Sequence, residues 1–134
     1  FDSKNNNIVE EIRDLTNGGV DYAIDLAGVI QAMDTAYQII RYGGSVVTAG
    51  LSPINTQFSF NHSDLVAQEK SILGSYMGSC VPVRDVPRFL NLYKQGRLPV
   101  DKLIDGKITF DNLNEGFDKL SKGEVVRQIL MPNA

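Results

Sequence analysis

The stretch Tyr42-Gly43-Gly44-Ser45-Val46-Val47-Thr48-Ala49-Gly50-Leu51 constrains the fold more than any other part of the chain. Ser45 to Ala49 shows none of the polar alternation of a half-exposed strand, so it reads as a strand covered on both faces, as in a parallel sheet. Gly43-Gly44 follows a helical pattern and reads as the positive-φ punctuation of a helix end. Gly50 falls at the carboxyl end of this central strand, the edge at which open α/β sheets bind ligands.

The flanking segments supply the rest of a crossover unit. Residues 7–16 read as a helix, with Asn5 to Asn7 as candidate caps and Ile8, Ile12 and Leu15 at helical spacing, stopped by Gly18-Gly19. Residues 20–26 read as a strand followed by Gly28. Val29, Met33, Ala36 and Ile40, with Ile39, mark the apolar face of a helix ending near Arg41. Strand, helix and strand at this spacing are right-handed and parallel in nearly all cases, so the sheet is expected to be parallel.

Further along, residues 52–61 form a long loop of the kind that tends to be functional, and residues 62–69 a short helix. Residues 71–77 read as a third strand, followed by Gly78 and a turn through Cys80-Val81-Pro82. Asp85 ahead of Val86-Pro87 reads as a helix start, and that helix runs to Gly96. After a connector over 97–105 come a short strand at 107–110 and a helix capped by Asp111 with Leu113, Phe117 and Leu120 on one stripe. A last strand at 125–131 precedes a frayed tail at 132–134.

Composition narrows the function. A chain of 134 residues with 43% hydrophobic content fits one globular domain. A formal charge of −3 offers no basic field for nucleic acid, and no apolar run approaches the roughly 20 residues needed to span a bilayer. The single Cys suits a reducing compartment, which points to the cytoplasm. The chain opens on Phe1-Asp2-Ser3 without Met, which suggests a piece of a longer protein.

The glycines sort by sheet edge. Gly18-Gly19 and Gly43-Gly44 come after helices, the wrong edge for a ligand, and read as helix termination. Gly28, Gly50 and Gly78 leave strands at the carboxyl edge, where a missing side chain either admits a flat ring or sugar or simply eases a turn. Neither G-x-G-x-x-G nor G-x-x-x-x-G-K-[ST] occurs. Cys80 and His62 are too few for zinc and read as an ordinary loop thiol and a helix-end histidine. Asp21 and Asp25 share a strand face, with a structural role favoured over an acid/base pair. Arg84 and Arg88 read as solvated helix charges. Tyr76-Met77 either covers a ligand ring or fills the sheet edge. Arg127 interrupts the last strand and is either an exposed strand residue or a bidentate grip on phosphate.

The order Gly18-Gly19-Val20-Asp21-Tyr22-Ala23-Ile24-Asp25, Gly43-Gly44-Ser45-Val46-Val47, Asn114-Glu115-Gly116-Phe117-Asp118 and Val126-Arg127-Gln128-Ile129-Leu130 resembles the C-terminal part of zinc-type medium-chain alcohol dehydrogenases. The resemblance covers nearly the whole chain. It implies an α/β fold: half of a doubly wound parallel Rossmann sheet with flanking helices in residues 1–106, then a C-terminal helix and strand in 107–134 that return to the catalytic domain. It also implies a cofactor, NAD(P) with NAD favoured. The nicotinamide and ribose side would rest on Leu26-Ala27-Gly28, Ala49-Gly50-Leu51 and Ser75-Tyr76-Met77, and Arg127 would meet the pyrophosphate. The family's zinc ligands, pyrophosphate loop and following acidic residue have no counterpart here, so the chain alone is expected to be inactive. Its implied partners are the absent N-terminal catalytic domain and a second subunit pairing along Ser71 to Gly78. The alternatives are a zinc-free quinone or enoyl reductase of the same superfamily, and a non-catalytic α/β binding or interaction domain. The substrate and the choice between NAD and NADP are not legible in these residues.

Overall fold

The computed structural model describes residue 1 and residues 5–133. Asp2 and Ser3 of the chain start and Ala134 of the expected tail lie outside the described residues. The chain divides into two compact units, Phe1–Cys80 and Val81–Ala134.

The first unit is a three-stranded parallel sheet in the order β1-β2-β3, built from α1 (Ile8–Leu15), β1 (Val20–Asp25), α2 (Ile30–Ile39), β2 (Ile40–Thr48), α3 (His62–Ala67) and β3 (Ser71–Gly74). The expected crossover is present. Its core joins the inward face of α2 to one face of the sheet: Met33, Ala36 and Tyr37 pack with Ala23, Ile40 and Val46, and Ile40 and Val46 are 0% exposed. Gly18 closes α1 as expected, its amide donating to Arg13 O at 2.8 Å.

Two readings of the central strand are corrected. The helix ends at Ile39 and β2 begins at the next residue, so Gly43-Gly44 lies inside the strand. Between the Val20–Ile40 and Tyr22–Ser45 pairs, β1 advances two residues while β2 advances five, and this surplus is taken up as a bulge. Gly43 supplies the bulge with a φ of 71°, and its amide donates to Gln68 O at 2.8 Å. The sheet is also packed on one face rather than two. Ala23, Val46 and Ile72 stand side by side toward α2, whereas the next row, Ile24, Val47 and Leu73, points to the other face, with Ile24 67% and Leu73 52% exposed. β3 stops at Gly74, short of the expected Met77. Tyr76 is extended, and Met77–Ser79 forms a 3-10 turn with Met77, Gly78 and Ser79 all at positive φ.

The second unit contains α4 (Pro82–Lys94), β4 (Gly106–Ile108), α5 (Leu113–Ser121) and β5 (Gln128–Leu130), with β4 and β5 paired in parallel. α4 starts three residues before Asp85, which sits in its first turn and is buried. The carboxylate still serves the helix start, because Asp85 Oδ2 accepts from Val81 N at 2.8 Å, a reach back to the cap amide. Asp111 makes no capping bond; a 3-10 turn over Phe110–Asn112 leads into α5. Arg127 lies one residue before β5 rather than within it. No helix among the described residues is long and apolar enough to cross a membrane.

The Arg84 guanidinium, and then the Val81 amide, hold the Asp85 carboxyl below the usual carboxylate range against the opposing effect of its burial. A depressed folded pKa contributes stability above the ordinary carboxylate range and loses it as pH falls through the folded value. Asp85→Asn should therefore flatten the acid side of the chain's melting temperature measured against pH. An acid limb as steep as that of the parent chain would remove Asp85 from this role.

Candidate functional site

The carboxyl edge of β1 and β2 is tied together by the buried side chain of Asp25, the last residue of β1. Its Oδ1 accepts from the amides of Ala27 at 2.9 Å and Gly28 at 3.4 Å, turning the chain sharply as it leaves the strand. Its Oδ2 accepts from Thr48 Oγ1 on the neighbouring strand at 2.9 Å. The Asp25 carbonyl receives the amides of Ala49 at 2.8 Å and Gly50 at 3.2 Å. One residue thus fixes the backbone of both loops.

Those loops touch. A Cβ on Gly50 would lie 2.1 Å from Gly28 N, and a Cβ on Gly28 would lie 2.7 Å from Leu51 O, so neither position accepts a side chain in this arrangement. Ser52 Oγ donates to Gly28 O at 2.8 Å and adds a further tie. What the structure shows at these two glycines is backbone-to-backbone approach, which neither reading named: each fills the space the other leaves. Gly78 differs, since nothing lies within 4 Å of a Cβ built there and its φ is 66°, which is turn geometry.

The expected site residues therefore fall into three groups. Leu26-Ala27-Gly28 and Ala49-Gly50-Leu51 are brought together, with the side chains of Leu26 and Leu51 standing exposed above the strand ends. Ser75 joins them through its amide, which donates to Thr48 O at 2.9 Å, while Tyr76 and Met77 stand exposed in the turn beyond β3. Arg127 belongs to the second unit. There its amide and that of Val126 both donate to Asp105 Oδ2, and its side chain borders an apolar cavity of about 280 Å³ lined by Ile108, Gly116 and Phe117. These two amides, that of Arg127 first, hold the Asp105 carboxyl below the usual range.

Sequence reasoning passed over Asp25 as an organiser, and Thr48 and Ser52 altogether. A usable signal was present: an Asp at the last strand position followed three residues later by Gly is the pattern of a side chain that caps its own turn. Asp21, paired with Asp25 on spacing, instead receives the Arg41 Nε–H at 2.6 Å at the opposite edge of the sheet. Among the described residues no group of three His, Cys, Asp or Glu side chains is placed to hold a metal ion. Zinc does not fit this set of donors.

A zinc-binding dehydrogenase profile matches residues 1–95. The chain belongs to the zinc-binding dehydrogenase family. It is 32% identical over 127 residues to alcohol dehydrogenase 1 of Cenchrus americanus, covering 94% of this chain and 33% of the relative. Its fold superposes on benzyl alcohol dehydrogenase from Acinetobacter calcoaceticus with a TM-score of 0.84 at 29% identity, over 96% of this chain and 35% of that one. A zinc-binding dehydrogenase from Sinorhizobium meliloti 1021 bound to NADP gives a TM-score of 0.68 at 27% identity, over 88% of this chain and 33% of that one. The chain spans about a third of the length of these relatives.

Asp25→Ala would leave two amides and the Thr48 hydroxyl without their acceptor at a largely buried site. The expected cost is about 2–3 kcal/mol in chemical denaturation. Asp25→Asn, which keeps one acceptor oxygen and the shape, should cost clearly less. Equal losses for the two variants would show that the carboxylate oxygens do not hold the loops.

Proposed function

We propose that this chain forms the nicotinamide-side wall of the cofactor site in a zinc-dependent alcohol dehydrogenase, an oxidoreductase that passes hydride between an alcohol or aldehyde and NAD(P). The observation that carries the reading is the joined carboxyl edge of β1 and β2. Asp25 locks Ala27-Gly28 against Gly50-Leu51 where open parallel sheets receive ligands, in a chain whose relatives include proteins named alcohol dehydrogenase. The alcohol dehydrogenase names among the relatives support this reading over a zinc-free quinone or enoyl reductase.

The residues present suit one end of the cofactor. The exposed apolar side chains of Leu26, Leu51, Tyr76 and Met77 offer surface for a flat ring, and the backbone beneath them is fixed before anything binds, which lowers the ordering cost of binding. When bound, the cofactor supplies the hydride chemistry, and this chain's residues orient the ring and exclude water from one side of it. Arg127 is the candidate for the pyrophosphate, as a guanidinium can bind it bidentately. In this reading residues 1–106 serve the cofactor domain and 107–134 return toward a catalytic domain that carries the zinc. NAD is favoured over NADP, and a cytoplasmic site of action accompanies the single free thiol, Cys80.

Reduced nicotinamide mononucleotide titrated into isotope-labelled chain should shift the amides of Ala27, Gly28, Gly50, Leu51, Tyr76 and Met77, with an affinity in the millimolar range expected of a half-site. Shifts confined to other residues would sink the proposal. The chain alone should oxidise no alcohol; measurable turnover would refute the division of labour.

Among the described residues β3 pairs with β2 alone, and its outer edge is the proposed seam of a homo-oligomer. The seam is shorter than expected, Ser71–Gly74. Sedimentation should show dimers or larger species that dissociate on Leu73→Pro, and a clean monomer would remove this partner.

A further inference from the structure

The turn that closes α1 places an asparagine side chain next to an unhindered backbone nitrogen. Of the ten asparagines in the chain, only Asn17 is followed by glycine. Attack of a backbone nitrogen on the preceding asparagine side chain is hindered by any side chain on the attacking residue, and glycine has none. The surroundings are open as well: nothing lies within 4 Å of a Cβ built at Gly18, and Asn17 and Gly18 are both exposed.

In the closed turn this attack is held off. The Gly18 amide donates to Arg13 O at 2.8 Å and the Asn17 amide to Asp14 O at 3.4 Å, the two bonds of a left-handed helix cap. Asn17 occupies the left-handed position of that cap with a φ of 54°, a conformation glycine adopts freely and asparagine only at some cost. The helix behind the cap is weakly held, since α1 has eight residues and buries none of them, and a helix of that length is marginal without packing. Opening of the cap is therefore a low-energy local event, and it frees the Gly18 nitrogen to turn toward Asn17 Cγ. Charge favours the attack. Arg13 and Arg41 border a cavity of about 360 Å³ together with Asn17, Gly18 and Tyr42. Arg41 is paired with Asp21, and Arg13 Nη1 donates to Gln38 O at 2.9 Å. Cations beside the turn favour the amide anion that attacks and the oxyanion that forms on Cγ.

We propose that Asn17 is a site of spontaneous deamidation whose isoaspartyl product removes the cap of α1. The Gly18 nitrogen loses its proton to water and forms a bond to Asn17 Cγ; the Cγ–Nδ2 bond breaks, and Nδ2 leaves as ammonia with a proton from water. Water then opens the resulting succinimide at either carbonyl. Opening at Cγ gives aspartate. Opening at the main-chain carbonyl gives isoaspartate, in which the backbone runs through Cβ and Cγ and gains one methylene. Gly19 cannot absorb that methylene, because it is buried and even a Cβ there would meet Ile39 O at 2.6 Å and Arg41 N at 2.7 Å. The extra length falls on the cap and separates Gly18 N from Arg13 O. The site lies at the opposite end of β1 from the cofactor wall and stands whether or not that wall binds nicotinamide.

The test is prolonged incubation of the chain at mildly alkaline pH, followed by trypsin and mass spectrometry with fragmentation that separates aspartate from isoaspartate. The peptide 14–41 contains Asn17 and no other asparagine. It should gain the mass of an amide-to-carboxylate exchange ahead of every other asparagine-containing peptide, with isoaspartate the larger product, and Asn17→Gln should show no gain. The same peptide cut free before incubation should convert several-fold faster, because nothing closes its cap. In the aged chain the Gly18 amide should lose its protection from hydrogen exchange, whereas Asn17→Asp, which has the new charge on an ordinary backbone, should retain it. A peptide 14–41 left unchanged in the folded chain while the free peptide has fully converted would overturn the proposal, as would faster conversion at another asparagine. Protection retained in the isoaspartyl chain would overturn the loss of the cap.

Discussion

The carboxylate of Asp25 joins the end of β1, the turn that follows it and the end of β2. It ends β1, turns the chain into α2 by accepting the Ala27 and Gly28 amides, and holds the end of β2 through the Thr48 hydroxyl. A buried carboxylate is costly unless its oxygens are engaged, and here both are. The same residue's carbonyl receives Ala49 and Gly50. The contact between Gly28 and Gly50, and with it the shape of the whole carboxyl edge, depends on this arrangement. In the proposed reading, this rigid edge is what a chain without a phosphate-gripping glycine loop would bring to a cofactor site.

Much of the architecture was legible because it is encoded locally. The apolar spacing of α2, the β-branched run of β2 and the glycine stop after α1 each act within about ten residues, and the right-handed crossover rule converts them into a parallel sheet. What was not legible depends on neighbours. No breaker separates α2 from β2; Ile40 leaves the helix because it pairs with Val20 and is fully buried by the core. The start of α4 was read at Asp85, three residues late, because Pro87 suits a first helical turn as well as Pro82 does, and only the bond from Val81 N to Asp85 shows where the helix begins.

The candidate site shows the same division. That glycines mark the strand ends can be read from position, but an absent side chain does not disclose what fills its place. At Gly50 it is the backbone of residue 28, some two dozen residues earlier in the chain. The continuous apolar character of Ser45 to Ala49 signals two faces able to be buried, and the structure buries the one carrying Val46 while Ile24 and Leu73 flank Val47 on the other. Hydrophobic pattern states what a surface can do; the covering element must come from elsewhere in a fold.

The bulge around Gly43 divides the pairing of β1 and β2 into two stretches. Because β2 spends five residues where β1 spends two, the pairing above Ser45 is reset independently of the pairing at Ile40. Lengthening or shortening the chain at the lower edge can be absorbed in that slack without rotating Val46 out of the core or moving Thr48 from Asp25. The bulge therefore uncouples the register at the two ends of one strand, Val20 pairing with Ile40 below it and Tyr22 with Ser45 above it.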